Sequence, residues 1–400
     1  MQQPVQPAVD TKPKRIESIV TPLKEILKDF EVREAKGRRP YIGFGCTHFP
    51  DTSQALSGFR KGVLHVINGS ARRGRTQVLL ELAISYIKTN KQPVLFLSFH
   101  RPPRELLFEL LSRESGMDME TVHYKKVVGD SSRKEKLKTS LDRLAKYQSY
   151  LHLITGAQTD TTSQIEKLVH EIRAALKTRD ILLVVDSLQS IAPSAHSGFN
   201  PGDTVVRSMK SMAMHLDIPI ILGSEISQAG EELDEKEGRD RVNLSHATGI
   251  SSLSDLTDVG ISMTKNHIDS LELKKLLAKQ AENLGKDQIR LPELEVVDLL
   301  LEKVCRGAMV SHQAIQLMVS QQNGKVLELG VKLSEDIHRF HRIEKSILNL
   351  IERQEIEFYE FDPNASPSSS SASGTDTAMP GMPSAAGMVK PKPKIALRKD

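Results

Sequence analysis

The stretch "GSARRGRT" at residues 69 to 76 places two glycines either side of four residues and follows them with a basic residue and a hydroxyl. This spacing lets a loop close around a phosphate, turn its backbone N–H groups inward and set the start of a helix behind them. The residues that would hold a nucleotide there are Gly69, Ser70, Ala71, Arg72, Arg73, Gly74, Arg75 and Thr76. Thr76 is the expected ligand of Mg2+, and Arg75 is expected to face the β and γ phosphates. Such loops normally carry lysine where Arg75 stands, and the longer, planar guanidinium directs its donors differently. Asp186 ends "ILLVVD" about 110 residues later, where a phosphate-loop protein places the carboxylate that holds Mg2+ through water. Short glycine patterns recur by accident and a lone Asp after a strand is usually a helix cap. The inference therefore rests on the pair.

The surrounding pattern supplies the elements that must position them. Apolar "VLHVI" (63 to 67) precedes the loop and a helical run (76 to 89) follows it. Further β-branched runs at 93 to 99, 150 to 154, 181 to 185, 218 to 224 and 258 to 263 read as buried strands. Helix-length segments at 103 to 115, 163 to 177 and 202 to 215 separate them. That alternation predicts an α/β fold with a mostly parallel sheet, helices on both faces and ligands at the carboxyl ends of the strands. Residues 270 to 285 read as a charged helix, followed by one more strand and a closing hairpin. The charge run at 228 to 243 reads as a solvated loop.

With 400 residues, 38% of them hydrophobic, the chain can bury one large α/β core or two small ones. Cys46 and Cys305 belong to no CxxC or Cys/His spacing, so neither a disulfide framework nor a zinc site is indicated. No stretch approaches the roughly 18 apolar residues of a membrane span, and "MQQPVQPAVD" lacks the pattern of a signal peptide, so the reading is a soluble cytoplasmic protein with no membrane partner. The last twelve residues hold five basic residues and one acid, which accounts for the whole net charge of +4. Bulk charge thus gives no support for nucleic-acid binding by the body of the chain. The Pro/Gln-rich residues 1–15 and the Ser/Pro-rich residues 363–400 with their basic end are too poor in large apolar side chains to offset their ordering entropy and read as disordered tails.

From about residue 20 to 330 the order of motifs resembles the RecA-fold motor domain of the DnaB-type replicative helicases. "LKEILKDFE" resembles that family's linker helix, "FLSFHRPPRELLFELLSRESGMD" its second motif without a gap, "VVDSLQSI" its Walker B strand and "ILGSEISQ" its sensor strand. The implied organisation is a linker-like helix at 16–38, a RecA-like P-loop NTPase core at 39–330 and a C-terminal amphipathic helix at 331–362.

The resemblance implies ATP and Mg2+ as ligands, and it also marks departures, which cluster at the chemistry. The family's lysine is Arg75. Its catalytic glutamate aligns with His100 and its sensor glutamine with Glu225, whose charge lies near the place of a γ phosphate. The lysine and arginine that act on a neighbour's site align with Lys303 and Cys305, with Arg306 one residue displaced. The central DNA-contacting loop aligns with Thr248, Gly249 and Ser251, which carry no basic group, so single-stranded DNA would be held weakly.

The expected protein is a hydrolysis-impaired, ATP-binding helicase paralogue, a pseudo-ATPase acting as an oligomeric adaptor or scaffold in DNA replication, as a homo-oligomer or a mixed ring with a helicase. Alternatives are an active ATP-dependent replicative helicase and a RecA-fold recombination or signalling ATPase.

Overall fold

The computed structural model describes residues 43–123, 130–156, 159–193, 200–236, 241–283, 289–304, 314–332, 347–349, 351 and 359–360. The two expected tails, the linker-like helix at 16–38, Cys305 and Arg306 lie outside the described residues.

The apolar runs become β1 (Leu64–Gly69), β2 (Val94–Ser98), β3 (Leu151–Thr155), β4 (Leu182–Asp186), β5 (Ile220–Ser224) and β6 (Val259–Lys265), all paired in parallel. Alternate side chains enter two cores. Ile67, Phe96, Val184 and Ile221 pack with α2 (Arg75–Asn90), which follows α1 (Pro50–Leu56). Val66, Leu97, Val185 and Leu222 enter the opposite core. Burial on both faces is why these strands read as continuous apolar runs. The exception is β3, expected to be buried: at the sheet edge all five of its residues are only half-buried.

The helices that follow begin where local chemistry tells them to. Pro103 opens α3 (Pro103–Ser115), and left-handed Gly116 ends it. After α4 (Met119–His123) and α5 (Ser131–Ala145), a capping box between Thr161 and Gln164 starts α6 (Thr162–Leu176). The Asn200 side chain accepts from Gly202 N at the start of α7 (Pro201–Leu216). Helices α6 and α7 cover the second core.

Downstream of β6 the sheet turns antiparallel. Past α8 (Gln228–Glu235), α9 (Leu253–Leu256), α10 (His267–Asn283) and the short β7 (Ile289–Arg290), the chain adds β8 (Leu294–Lys303), β9 (Ala314–Ser320) and β10 (Val326–Lys332). Among the described residues the sheet has nine strands in the order β10-β9-β8-β6-β1-β5-β4-β2-β3. The RecA-like, mostly parallel architecture is therefore present, with the expected hairpin extending it.

Two expectations need correcting. Residues 228 to 243 are not one solvated loop: Ser227 caps α8, and Asp234 is 2% exposed because it collects donors from three directions. Nor is 331–362 one helix. Val331 and Lys332 complete β10 against β9, and Tyr359–Glu360 form β11 against β7. Of the described residues between, Ile347–Asn349 and Ile351 are helical, and Ile347 is buried against Leu273 and Leu277 of α10.

Candidate nucleotide site

Strand order explains how residues far apart in sequence come together. Strands β1, β5, β4 and β2 are successive neighbours, with Asn68 level with Ser224, Asp186 with Gly223, and Ser98 with Asp186. Their carboxyl ends thus form one row, the position where open α/β sheets hold ligands.

The loop after β1 has the backbone its glycines allow. Gly74 has φ 84°, and a Cβ there would lie 2.6 Å from both Gln77 Oε1 and Val319 Cγ1. At Gly69 a Cβ would lie 2.8 Å from that of Met263. Between them Ala71–Arg73 make a single 3-10 turn, which Ser70 ties by accepting Arg72 N at its Oγ (3.1 Å) and Arg73 N at its carbonyl (3.2 Å).

Arg75 does not face outward as expected. Its guanidinium, 1% exposed, turns beneath the loop. Nε and Nη2 donate to Asp186 Oδ1 at 3.2 and 2.9 Å, while Nη1 donates to the carbonyls of Gly69 and Ser224, both at 3.0 Å. Thr76 Oγ1 donates to the other Asp186 oxygen at 2.7 Å. The cause is the donor count: a guanidinium presents five N–H groups in a fixed fork, and here one carboxylate and two strand-end carbonyls engage four of them. Gly223 makes the space. A Cβ there would lie 3.0 Å from Asp186 Oδ1 and 3.2 Å from Arg75 Nε.

Thr76 and Asp186 therefore do meet, as residues sharing a Mg2+ should. In this arrangement, however, Asp186 has both oxygens engaged and the buried guanidinium already supplies the positive charge, so a Mg2+ does not fit.

At the mouth, His100 and Glu225 are brought into direct contact. Nε2 of His100 lies 2.8 Å from Glu225 Oε1, and Ser187 Oγ donates to the same oxygen at 2.6 Å. Arg75 Nη2 stands 3.9 Å from it. The hydrogen bond from His100, with help from Ser187 and the Arg75 charge, brings the Glu225 carboxyl down to about 2. The same hydrogen bond raises the His100 pKa against the opposing effect of burial. Gln189 fixes this corner: its Oε1 accepts from Glu225 N, and its Nε2 donates to Ser224 Oγ.

Arg72 and Arg73 turn aside from the row of strand ends. Arg73 Nε donates to Asp234 Oδ2 at 2.7 Å, and Asp234 Oδ1 also accepts from Thr264 Oγ1 and Lys265 N. His267, at the start of α10, lies with Nε2 2.9 Å from the Asp234 carbonyl. The Arg72 side chain makes an exposed contact with Glu235 at 3.7 Å. Helix α8 is thus fastened to the phosphate loop, a role that the charge run concealed; the capping serine and the helix-forming "EELDE" after it were the available signal.

Other expected site residues lie elsewhere. Lys303 Nζ donates to the backbone carbonyls of Ser254 and Asp255 in its own chain. In the loop aligned with DNA contact, Ser251 Oγ donates to Asp203 Oδ2 at 2.8 Å, so an acid already holds that hydroxyl. Thr248 is tied to the mouth by donating its N–H to the Glu225 carbonyl. Besides the residues expected from sequence, Ser187, Gln189, Gly223 and Ser224 help build the site.

The model of the DnaB-like helicase C-terminal domain family matches residues 46–259, from just before α1 to the first residue of β6. A probable replicative DNA helicase of Trieres chinensis is 26% identical over 201 residues, covering 48% of this chain and 42% of that protein. The replicative DNA helicase DnaB of Nostoc sp. is 24% identical over 255 residues, covering 64% of this chain and 27% of that protein. The chain thus spans less than half the length of either relative. Among solved structures, the ATPase domain of G40P superposes with a TM-score of 0.61 at 16% identity, covering 78% of this chain and 98% of that one. A DnaB-like replicative helicase described with its interactions with primase gives 0.59 at 16% identity, covering 78% and 67%. These superpositions speak for the fold. The sequence match spans the loop, the Asp186 strand and the sensor strand in one continuous stretch, and on that ground the chain belongs to the DnaB-like helicase C-terminal domain family.

Proposed function

We propose that this protein binds ATP at residues 69–76 but hydrolyses it slowly or not at all, and that it works as an oligomeric adaptor or scaffold in DNA replication. The observation that carries this reading is the inward Arg75. Phosphoryl transfer depends on positive charge aimed at the transferring group, and here the basic residue of the loop is engaged with Asp186 and two strand carbonyls. Among the described residues at the mouth, neither Glu225 nor His100 suits the part of a general base. Glu225, at about 2, is too weak to take a proton from water. Its hydrogen bond to His100 favours the charged imidazolium, which has no lone pair for that purpose.

A scaffold role fits a chain that keeps the RecA-like core while departing at the chemistry. The partners would be further copies of itself or a true helicase in a mixed ring, with single-stranded DNA a weak ligand. Primase, named for one structural neighbour, is a candidate to test. Helix α10 offers Ile268 and Leu271 to solvent, at 75% and 52% exposure.

The competing reading, an active helicase, draws on one observation: Thr76, Asp186 and a carboxylate, Glu225, lie together at the strand ends. ATP turnover with and without single-stranded DNA, beside titration of a fluorescent ATP analogue, separates the two. Binding with turnover far below about 1 per second supports the proposal. DNA-stimulated turnover at or above about that rate, abolished by Asp186→Ala, overturns it.

A further inference from the structure

We infer that the site, taken as the nucleotide site proposed above, selects a nucleoside diphosphate over the triphosphate and holds it without Mg2+. Two separate features lead there. At the floor, the Arg75 guanidinium already neutralises Asp186, whose second oxygen takes the Thr76 hydroxyl. A cation arriving with the nucleotide would have to displace a buried group that makes four hydrogen bonds. At the mouth, a carboxylate stands just beyond Arg75, with Glu225 Oε1 3.9 Å from Nη2.

With the Arg72 and Arg73 amides taken up by Ser70, a phosphate would sit at the N-terminus of α2, where the backbone favours an anion. A chain of phosphates continuing along the row of strand ends reaches the tips of β4, β5 and β2. There it meets Glu225, held from both sides by Ser187 Oγ and His100 Nε2. The second phosphate would still lie at the helix N-terminus. A third meets the Glu225 carboxylate, whose two neighbouring cations, Arg75 and His100, are already engaged with acids, so no unpaired positive charge is left to receive it. The His100 imidazole is committed to Glu225 and so turns its Nε2 toward the carboxylate rather than an incoming phosphate.

This predicts discrimination in binding, independent of turnover. A fluorescent ADP analogue is bound to the full chain and displaced by ADP or ATP, in EDTA and in excess Mg2+. ADP should displace it at least about tenfold more effectively than ATP, and the ADP value should shift less than about twofold with Mg2+. Glu225→Gln, which keeps the shape and removes the charge, should bring ATP within about threefold of ADP. Glu225→Thr serves as a second charge-free variant, with thermal melting to verify that both fold. ATP binding as well as or better than ADP in the unmodified protein, or a requirement for Mg2+, overturns the inference while leaving nucleotide binding intact. Equal discrimination in both charge-free variants also overturns it. If no adenine nucleotide displaces or binds at all, the broader proposal fails and this inference falls with it.

Discussion

The floor and the mouth of the site each contain one ion pair of nearly the same length, 2.9 Å for Arg75–Asp186 and 2.8 Å for His100–Glu225. Their side chains differ in exposure: 1% and 3% at the floor, 51% and 36% at the mouth. At the floor the side chains are out of contact with bulk solvent, so each charge depends on its partner and the pair is part of the fold. At the mouth water competes, so the pair adds little to stability and its sign is free to act on a ligand. Departures from the helicase pattern thus lie in different surroundings at the two levels: Arg75 is buried in the structure, whereas Glu225 and His100 meet solvent, where the selectivity proposed above would act.

The sharpest way to break this contrast is Asp186→Ala. It leaves a buried guanidinium unpaired and should cost about 3–5 kcal/mol in urea unfolding. The double change Arg75→Met with Asp186→Leu removes both charges and should recover most of that loss. A loss below about 1 kcal/mol for the single change would mean that the floor behaves like a surface pair. Gly223→Ala probes the same place by volume. Its Cβ would fall 2.9 Å from Leu79 Cδ1 and 3.0 Å from Asp186 Oδ1, so the packed floor should lose about 1–3 kcal/mol on the same measurement. Glu225→Gln, by contrast, should move the unfolding midpoint by less than about 1 kcal/mol while changing nucleotide selectivity.

The sequence made the elements plain and the contacts obscure, for a physical reason. Buried parallel strands and the helix at 75–90 carry period and composition along the chain itself, so their placement was readable to within a few residues. The positions of Arg75 and Asp186 could be found from loop spacing and the end of a strand, and those of His100 and Glu225 by resemblance. Their pairing could not, because it depends on β5 lying between β1 and β4 and β4 lying beside β2. The direction of Arg75 was hidden for another reason. Two of its acceptors are the backbone carbonyls of Gly69 and Ser224, which have no sequence signature, and the gap it fills exists because position 223 lacks a side chain. Asp234 was misread because a charge run gives no sign of which member is buried; only the fold shows Arg73 and Thr264 waiting for it.

The smallest expected effect is the pH dependence of the mouth, where the sign is diagnostic. His100 is faced by Glu225 and Ser187, with Asp186 raising and Arg75 lowering its proton affinity at longer range. Because its folded pKa is raised, the pair's contribution is fully present below the unfolded value of about 6.5 and is lost as pH climbs through the folded value. Glu225, held down to about 2, makes its contribution above about pH 4.5 and loses it as pH falls toward 2. The stability gap between the unmodified protein and His100→Ala should therefore be widest between about pH 4.5 and 6.5 and should narrow toward about pH 9. Solvent at the half-exposed ring keeps the whole change under about 1 kcal/mol. Unfolding midpoints across that range decide the point: a gap that stays constant means that His100 contributes by packing alone and that the contrast with the floor does not extend to its charge.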